Sequence, residues 1–120
     1  MTLYDRVEFE RYILTFTGGT LHNQWQACVA KVGPRFFAAL GNPNGSWRNK
    51  LIFKANQASY EMMILQEGIR RAPYMRGTWL AVDDGSLLSD DDLRLYIARS
   101  YKIVAKSLTR QIRADLGIVL

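Results

Sequence analysis

The sequence predicts an α+β fold in the order α-β-β-β-α-β-β-α, and three observations lead there. Apolar residues recur at spacings of three and four near both ends of the chain, as on one face of a helix. Between Gln24 and Lys54 the pattern alternates instead, as in strands whose side chains point to opposite faces in turn. The joints between these segments are short and rich in Gly, Pro and Asn, with no internal repeat, linker or low-complexity stretch. At 120 residues the chain is sized for one domain, 1–120, that buries roughly two-thirds of its unfolded surface without a metal or disulfide.

Thr2 followed by Asp5 predicts a first helix start, with Phe9, Tyr12, Ile13 and Phe16 on its apolar face and Thr17-Gly18-Gly19 ending it. Gln24 to Val32 follows as a strand, with Trp25, Ala27 and Val29 alternating against Gln24, Gln26 and Cys28. Gly33-Pro34 turns the chain into a second strand, Arg35 to Leu40. The run Gly41-Asn42-Pro43-Asn44-Gly45 is the strongest turn signal present, because Gly and Asn tolerate positive φ and Pro fixes its own. Ser46 to Lys54 is the third strand. On it Trp47, Leu51 and Phe53 share one parity, and Arg48, Lys50, Ile52 and Lys54 the other.

Asn56 can cap a second helix, with Met62, Met63 and Leu65 as its core residues and Gly68 as its stop. Ile69 to Met75 and Thr78 to Asp83 then form an antiparallel pair around Arg76-Gly77, and Asp84-Gly85 turns the chain. Ser89 with Asp92 three residues on resembles a capping box. From there Leu93, Ile97, Tyr101, Val104, Leu108 and Ile112 form a long apolar stripe, which Ser100 could split into two helices.

Charge is unevenly placed. The net charge is +5 from sixteen Lys and Arg against eleven Asp and Glu. Residues 11–60 contain no carboxylate yet carry Arg11, Lys31, Arg35, Arg48, Lys50 and Lys54, whereas residues 61–120 are nearly neutral. One Cys and one His cannot make a zinc site, and a lone Cys28 cannot form an internal disulfide. Acidic and basic residues interrupt the N-terminal segment where a secretory signal would need an apolar run, and no run is long enough to span a bilayer. A cytoplasmic protein without membrane contact is the expectation.

No catalytic constellation stands out. Asp83-Asp84 and Asp90-Asp91-Asp92 sit at a turn and a helix start, where Asp is favoured for structural reasons. An EF-hand centred on Gly85 would place Leu80 and Val82 at ligand positions, and neither binds calcium. His22 and Cys28 form no evident base–nucleophile pair, and Gly41 to Ser46 lacks the lysine of a phosphate-binding loop. The expectation is a non-enzyme with no cofactor and no metal.

The segment Gly77-Thr78-Trp79-Leu80-Ala81-Val82-Asp83-Asp84-Gly85-Ser86-Leu87 resembles the C-terminal signature of the MmcQ/YjbR family, as do Asp90-Asp91-Asp92-Leu93 and Ser100-Tyr101-Lys102-Ile103-Val104 after it. Upstream, Gly19 to Trp25, Arg35 to Ala38 and Leu51 to Lys54 are similar to that family's strands. One departure is visible: Thr78 stands where family members often carry a His before the signature Trp, so no role of that His transfers. The resemblance implies a curved antiparallel sheet packed against helices in the order α-β(3)-α-β(2)-α, a topology similar to that of type III secretion chaperones. It also implies DNA binding, from a likeness to a "double wing" module, although fold does not fix function.

The candidate nucleic-acid-binding set is Arg35, Arg48, Lys50, Lys54, Arg70, Arg71 and Arg76, brought together if their strands are neighbours in one sheet. Such cations would contact phosphates and release counterions, giving salt-sensitive binding without sequence readout. Trp47 could stack on an unpaired base. The alternative is a solvated charged face with Trp47 in the core beside Leu51 and Phe53. A protein-binding module of the chaperone or adaptor kind, with a protein partner and no nucleic acid, is the competing function, and a small-ligand carrier a third.

Overall fold

Asp5, not Thr2, caps the first helix. Its carboxylate accepts from the amides of Val7 and Glu8, while the Thr2 hydroxyl is taken by the Tyr4 amide. A carboxylate at a helix N-terminus gains from the helix dipole as well as the hydrogen bonds. The computed structural model describes residues 2–120, which form α1 (Arg6–Ile13), β1 (Gly19–Gln24), β2 (Ala27–Val32), β3 (Arg35–Gly41), β4 (Lys50–Lys54), α2 (Gln57–Met63), β5 (Ile69–Arg71), β6 (Trp79–Asp83), α3 (Asp90–Lys106) and α4 (Arg110–Leu116). The six strands make one antiparallel sheet in the order β1-β2-β3-β4-β6-β5. This is the expected α+β architecture, with one more strand and one more helix than the expected order.

The extra strand, β1, lies ahead of the strand expected from Gln24 to Val32, whose first residues instead form the turn of a hairpin. Trp25 and Gln26 both hold positive φ, 54° and 55°, and Gln24 faces Ala27 across the turn. Positive φ at both central residues is the two-residue hairpin geometry usually marked by Asn-Gly. Trp-Gln carries no such mark.

β4 starts at Lys50 rather than Ser46, because residues 42–49 fold back onto that hairpin. The Asn42 amide donates to Gln26 O at 3.0 Å, and Asn49 holds φ 60°. Gly41 makes the fold-back possible, since a Cβ there would lie 1.8 Å from Trp47 O. The strand expected to run to Met75 ends at Arg71: Pro73 has no N–H to donate, and Tyr74 holds φ 68°.

The second helix is capped by Asn56 as expected, but only Met63 of its three expected core residues is buried; Met62 and Leu65 are exposed. Successive helical residues lie about 100° apart, so Met62 and Met63 cannot both face the core. Ser89 and Asp92 form a complete capping box. Ser100 does not split the helix that Ser89 caps. Its hydroxyl is fully buried, accepts from the Lys54 amide at 2.9 Å and donates to Phe37 O at 2.6 Å, stitching α3 to β3 and β4. The break falls at Ser107–Thr109, where Thr109 caps α4.

α1 and α3 lie on one side of the sheet. Tyr96 of α3 stacks on Phe53, and Tyr12 of α1 donates its hydroxyl to Arg94 O at 2.7 Å. By strand parity Leu51 and Phe53 face these helices, together with their cross-strand neighbours Leu40, Ala38, Val82 and Leu80. Lys50, Ile52 and Lys54 therefore face away, with Ala39, Ala81 and Trp79 beside them. Ile52, Ala39 and Ala81 are nonetheless fully buried. The cover on that side includes an aromatic row: Trp79 stacks on Phe36 at 4.3 Å between centroids, Phe36 meets Trp25 edge-on at 5.4 Å, and Trp25 meets Trp47 at 6.0 Å.

Candidate nucleic-acid interface

The seven basic residues singled out from the sequence fall into four situations. Arg35 and Lys54 come together at one end of the sheet, where with Phe36 and Trp79 they line a hollow of about 280 Å³ against the C-terminal part of α3. Lys54 Nζ stands 5.9 Å from the centre of the Trp79 ring, a cation–π contact with its cross-strand partner. Lys50 and Arg70 converge on a single carboxylate, Asp83, at 2.9 Å and 3.6 Å. The Lys50 contact is close enough for an ion pair, though not aligned as a hydrogen bond. Much of their field is spent there.

Arg70 and Arg71 are neighbours on β5 and so point to opposite faces of the sheet, which divides the expected set. Arg71 instead donates through Nε and Nη2 to Met75 O, at 3.3 Å and 3.2 Å, and holds the loop after β5. Arg76 lies in that same loop, and with Arg71, Pro73, Tyr74 and Met75 it borders a hollow of about 430 Å³. Arg48 is not on a strand: it is exposed in the loop before β4, one residue after Trp47 and bridged to Gly41. Among the described residues, the side chains of Arg35, Arg48 and Arg76 have neither an ion-pair nor a hydrogen-bond partner.

Trp47 is buried, at 4% exposure, and its indole N–H has no hydrogen-bond partner among the described residues. It is therefore a wall rather than an exposed stacking platform. The exposed aromatics are ones that sequence reasoning did not single out. Trp25 is 56% exposed and Tyr74 90% exposed, and both line a cavity of about 490 Å³ completed by Gln26, Ser46, Trp47 and Met75. Three of its six lining residues, Trp25, Gln26 and Tyr74, hold positive φ. That is an unfavourable conformation for bulky side chains, and such strain gathers at functional sites. Pro73 was the one available signal, since proline does not sit inside a paired strand and so argues for a loop at Tyr74.

The other titratable groups are occupied structurally. Cys28 is buried, and burial pushes its thiol up despite the nearby Arg6 guanidinium, so it is a poor nucleophile. His22 pairs with Val29 and Cys28 with Asn23 across β1 and β2, which puts His22 and Cys28 on opposite faces. The His22 ring shares a hydrogen bond with Thr20 Oγ1 at 2.8 Å. Thr78, at the position where the resemblance led one to look for His, donates its hydroxyl to Ala55 O and ties the start of β6 to the end of β4. Among the described residues no helix is long and apolar enough to cross a membrane.

The YjbR family model matches residues 14–103, three-quarters of the chain, a span that contains all seven of the basic residues. The chain belongs to the YjbR family. The fold agrees with that of solved structures: a Deinococcus radiodurans protein with a DUF419 domain is similar over 95% of this chain and 88% of its own, at a TM-score of 0.79 and 18% identity. A Pseudomonas syringae protein is similar over 82% of this chain and 97% of its own, at a TM-score of 0.66 and again 18% identity. At that identity the likeness speaks for the YjbR fold alone. No curated protein matches this YjbR-family chain.

Proposed function

We propose that this YjbR-family protein is a non-catalytic DNA-binding protein that contacts the nucleic-acid backbone through Arg35, Arg48, Lys54, Arg71 and Arg76. The observation that carries this is a set of exposed arginines without protein partners among the described residues, Arg35, Arg48 and Arg76, of which Arg76 borders a hollow shared with the exposed Tyr74. A guanidinium left free on the surface offers its donor fork to a phosphate at no cost of broken ion pairs. Lys50 and Arg70 contribute less, because Asp83 already neutralises part of their charge.

If about four phosphates are contacted, log affinity should fall against log salt with a slope of roughly −3 to −4. Fluorescence anisotropy with a labelled oligonucleotide across a salt series measures that slope. Replacing Arg48 and Arg76 together by Ala should flatten it by roughly 2 while the melting temperature stays put. Failure to bind any single strand or duplex at low ionic strength would overturn the proposal. The exposed Trp25 and Tyr74 give the protein-binding reading its own support, and a protein partner that stays bound after nuclease treatment would favour it.

A further inference from the structure

We infer that the cavity between Trp25 and Tyr74 receives an unpaired base, so that the protein takes single-stranded DNA in preference to duplex. The inference rests on the DNA-binding function proposed above and adds what that function does not require. A cation surface alone binds any phosphate backbone and draws no distinction between one strand and two.

Three features of the cavity point to a flat, weakly polar group carried on an anion. Two of its walls are exposed aromatic side chains, Trp25 and Tyr74, set on different loops. The backbone holds both at positive φ, so each ring is presented at an energetic cost that packing does not return for Tyr74, which is 90% exposed. The polar lining comes from Gln26 and Ser46, which can exchange hydrogen bonds with the edge of a base, and Trp47 keeps a buried indole N–H with no partner.

The charge around the cavity suits a strand rather than an isolated apolar group. Arg48 follows Trp47 in the chain. On the other side Tyr74 and Met75 are shared with the hollow bordered by Arg71 and Arg76. Among the described residues no carboxylate lines either space. A base seated between the rings would leave its flanking phosphates within the region of these guanidinium groups. Base–aromatic stacking with a tracking row of cations is how proteins hold single strands with little regard to sequence. In a duplex the bases are stacked on one another, and none is free to enter.

The test compares a labelled oligo(dT) strand, the same strand paired as duplex, and a strand of equal length with abasic sites, all against the full chain at fixed low salt. The oligo(dT) strand should bind at least tenfold more tightly than either of the others, and should quench tryptophan fluorescence. Tyr74→Ala and Trp25→Ala should each weaken oligo(dT) binding about tenfold and leave the salt slope unchanged. Equal affinity for all three DNAs would overturn the base pocket while leaving backbone binding intact. Absence of binding to all three would overturn the proposed function itself. The abasic strand needs no altered protein, so the outcome stands even if Trp25→Ala fails to fold.

Discussion

The two sides of the sheet solve their polar problems differently. On the helix side the polar groups that join α1 and α3 to each other and to the sheet are paired. Ser100 serves both the Lys54 amide and Phe37 O, and Asp90 accepts from the Leu3 amide at 2.8 Å and from Arg94 Nε at 2.6 Å. Arg94 also reaches Glu8 at 3.5 Å and lies over the Tyr12 ring. On the opposite side, three bulky or polar residues hold positive φ around one cavity, and a buried indole N–H is orphaned among the described residues. A buried donor without an acceptor and strained backbone both cost stability, so their meeting around one cavity marks where selection for something other than stability acts.

The sharpest way to break this contrast is to show that the far side is merely loose. Gly41→Ala tests that, because its Cβ would collide with Trp47 O in the fold-back that shapes the cavity. A loose loop would shift to admit a methyl group; a fixed one should lose about 3 kcal/mol or more in chemical denaturation. Ser100→Ala probes the helix side. It leaves the Lys54 amide without its acceptor and should cost roughly 1–3 kcal/mol, with DNA affinity unchanged.

Asp90 supplies a pH signature for the same side. Burial raises its carboxyl, but the bonds from Arg94 and Leu3 outweigh that and hold it below the usual carboxylate range. A depressed folded value means that the stabilisation is present above the unfolded value, about 3.9, and is lost as pH falls through the lower folded value. Asp90→Asn should therefore cost about 1–2 kcal/mol at neutral pH, with the gap from the native protein closing below about pH 4. The smallest effect expected has the opposite sign. Tyr74→Gly relieves a positive φ at a 90%-exposed residue and should raise stability by about 0.5–1 kcal/mol while weakening single-strand binding. A loss of stability there would mean that Tyr74 is a structural residue, and the contrast would fail at its central position.

What was legible in the sequence followed from periodicity and caps. The stripe Leu93, Ile97, Tyr101, Val104 and Leu108 is buried, Ser89 and Asp92 cap α3, and Asn56 caps α2. The basic residues were legible as charges but not as a group. Parity along a single strand correctly put Lys50 and Lys54 on one face, yet said nothing of Asp83, which arrives from β6. Trp25 and Tyr74 escaped notice because their turns lack the Asn-Gly chemistry that would have announced them.

By itself, then, the sequence determined the α+β class, the helix face, and a basic stretch without carboxylates over residues 11–60, because each depends on neighbours along the chain. Tertiary structure decided which cations are free and which are spent. It also decided that two aromatics from separate loops meet across one cavity, since both outcomes depend on β4, β6 and the residue 42–49 fold-back being brought together through space.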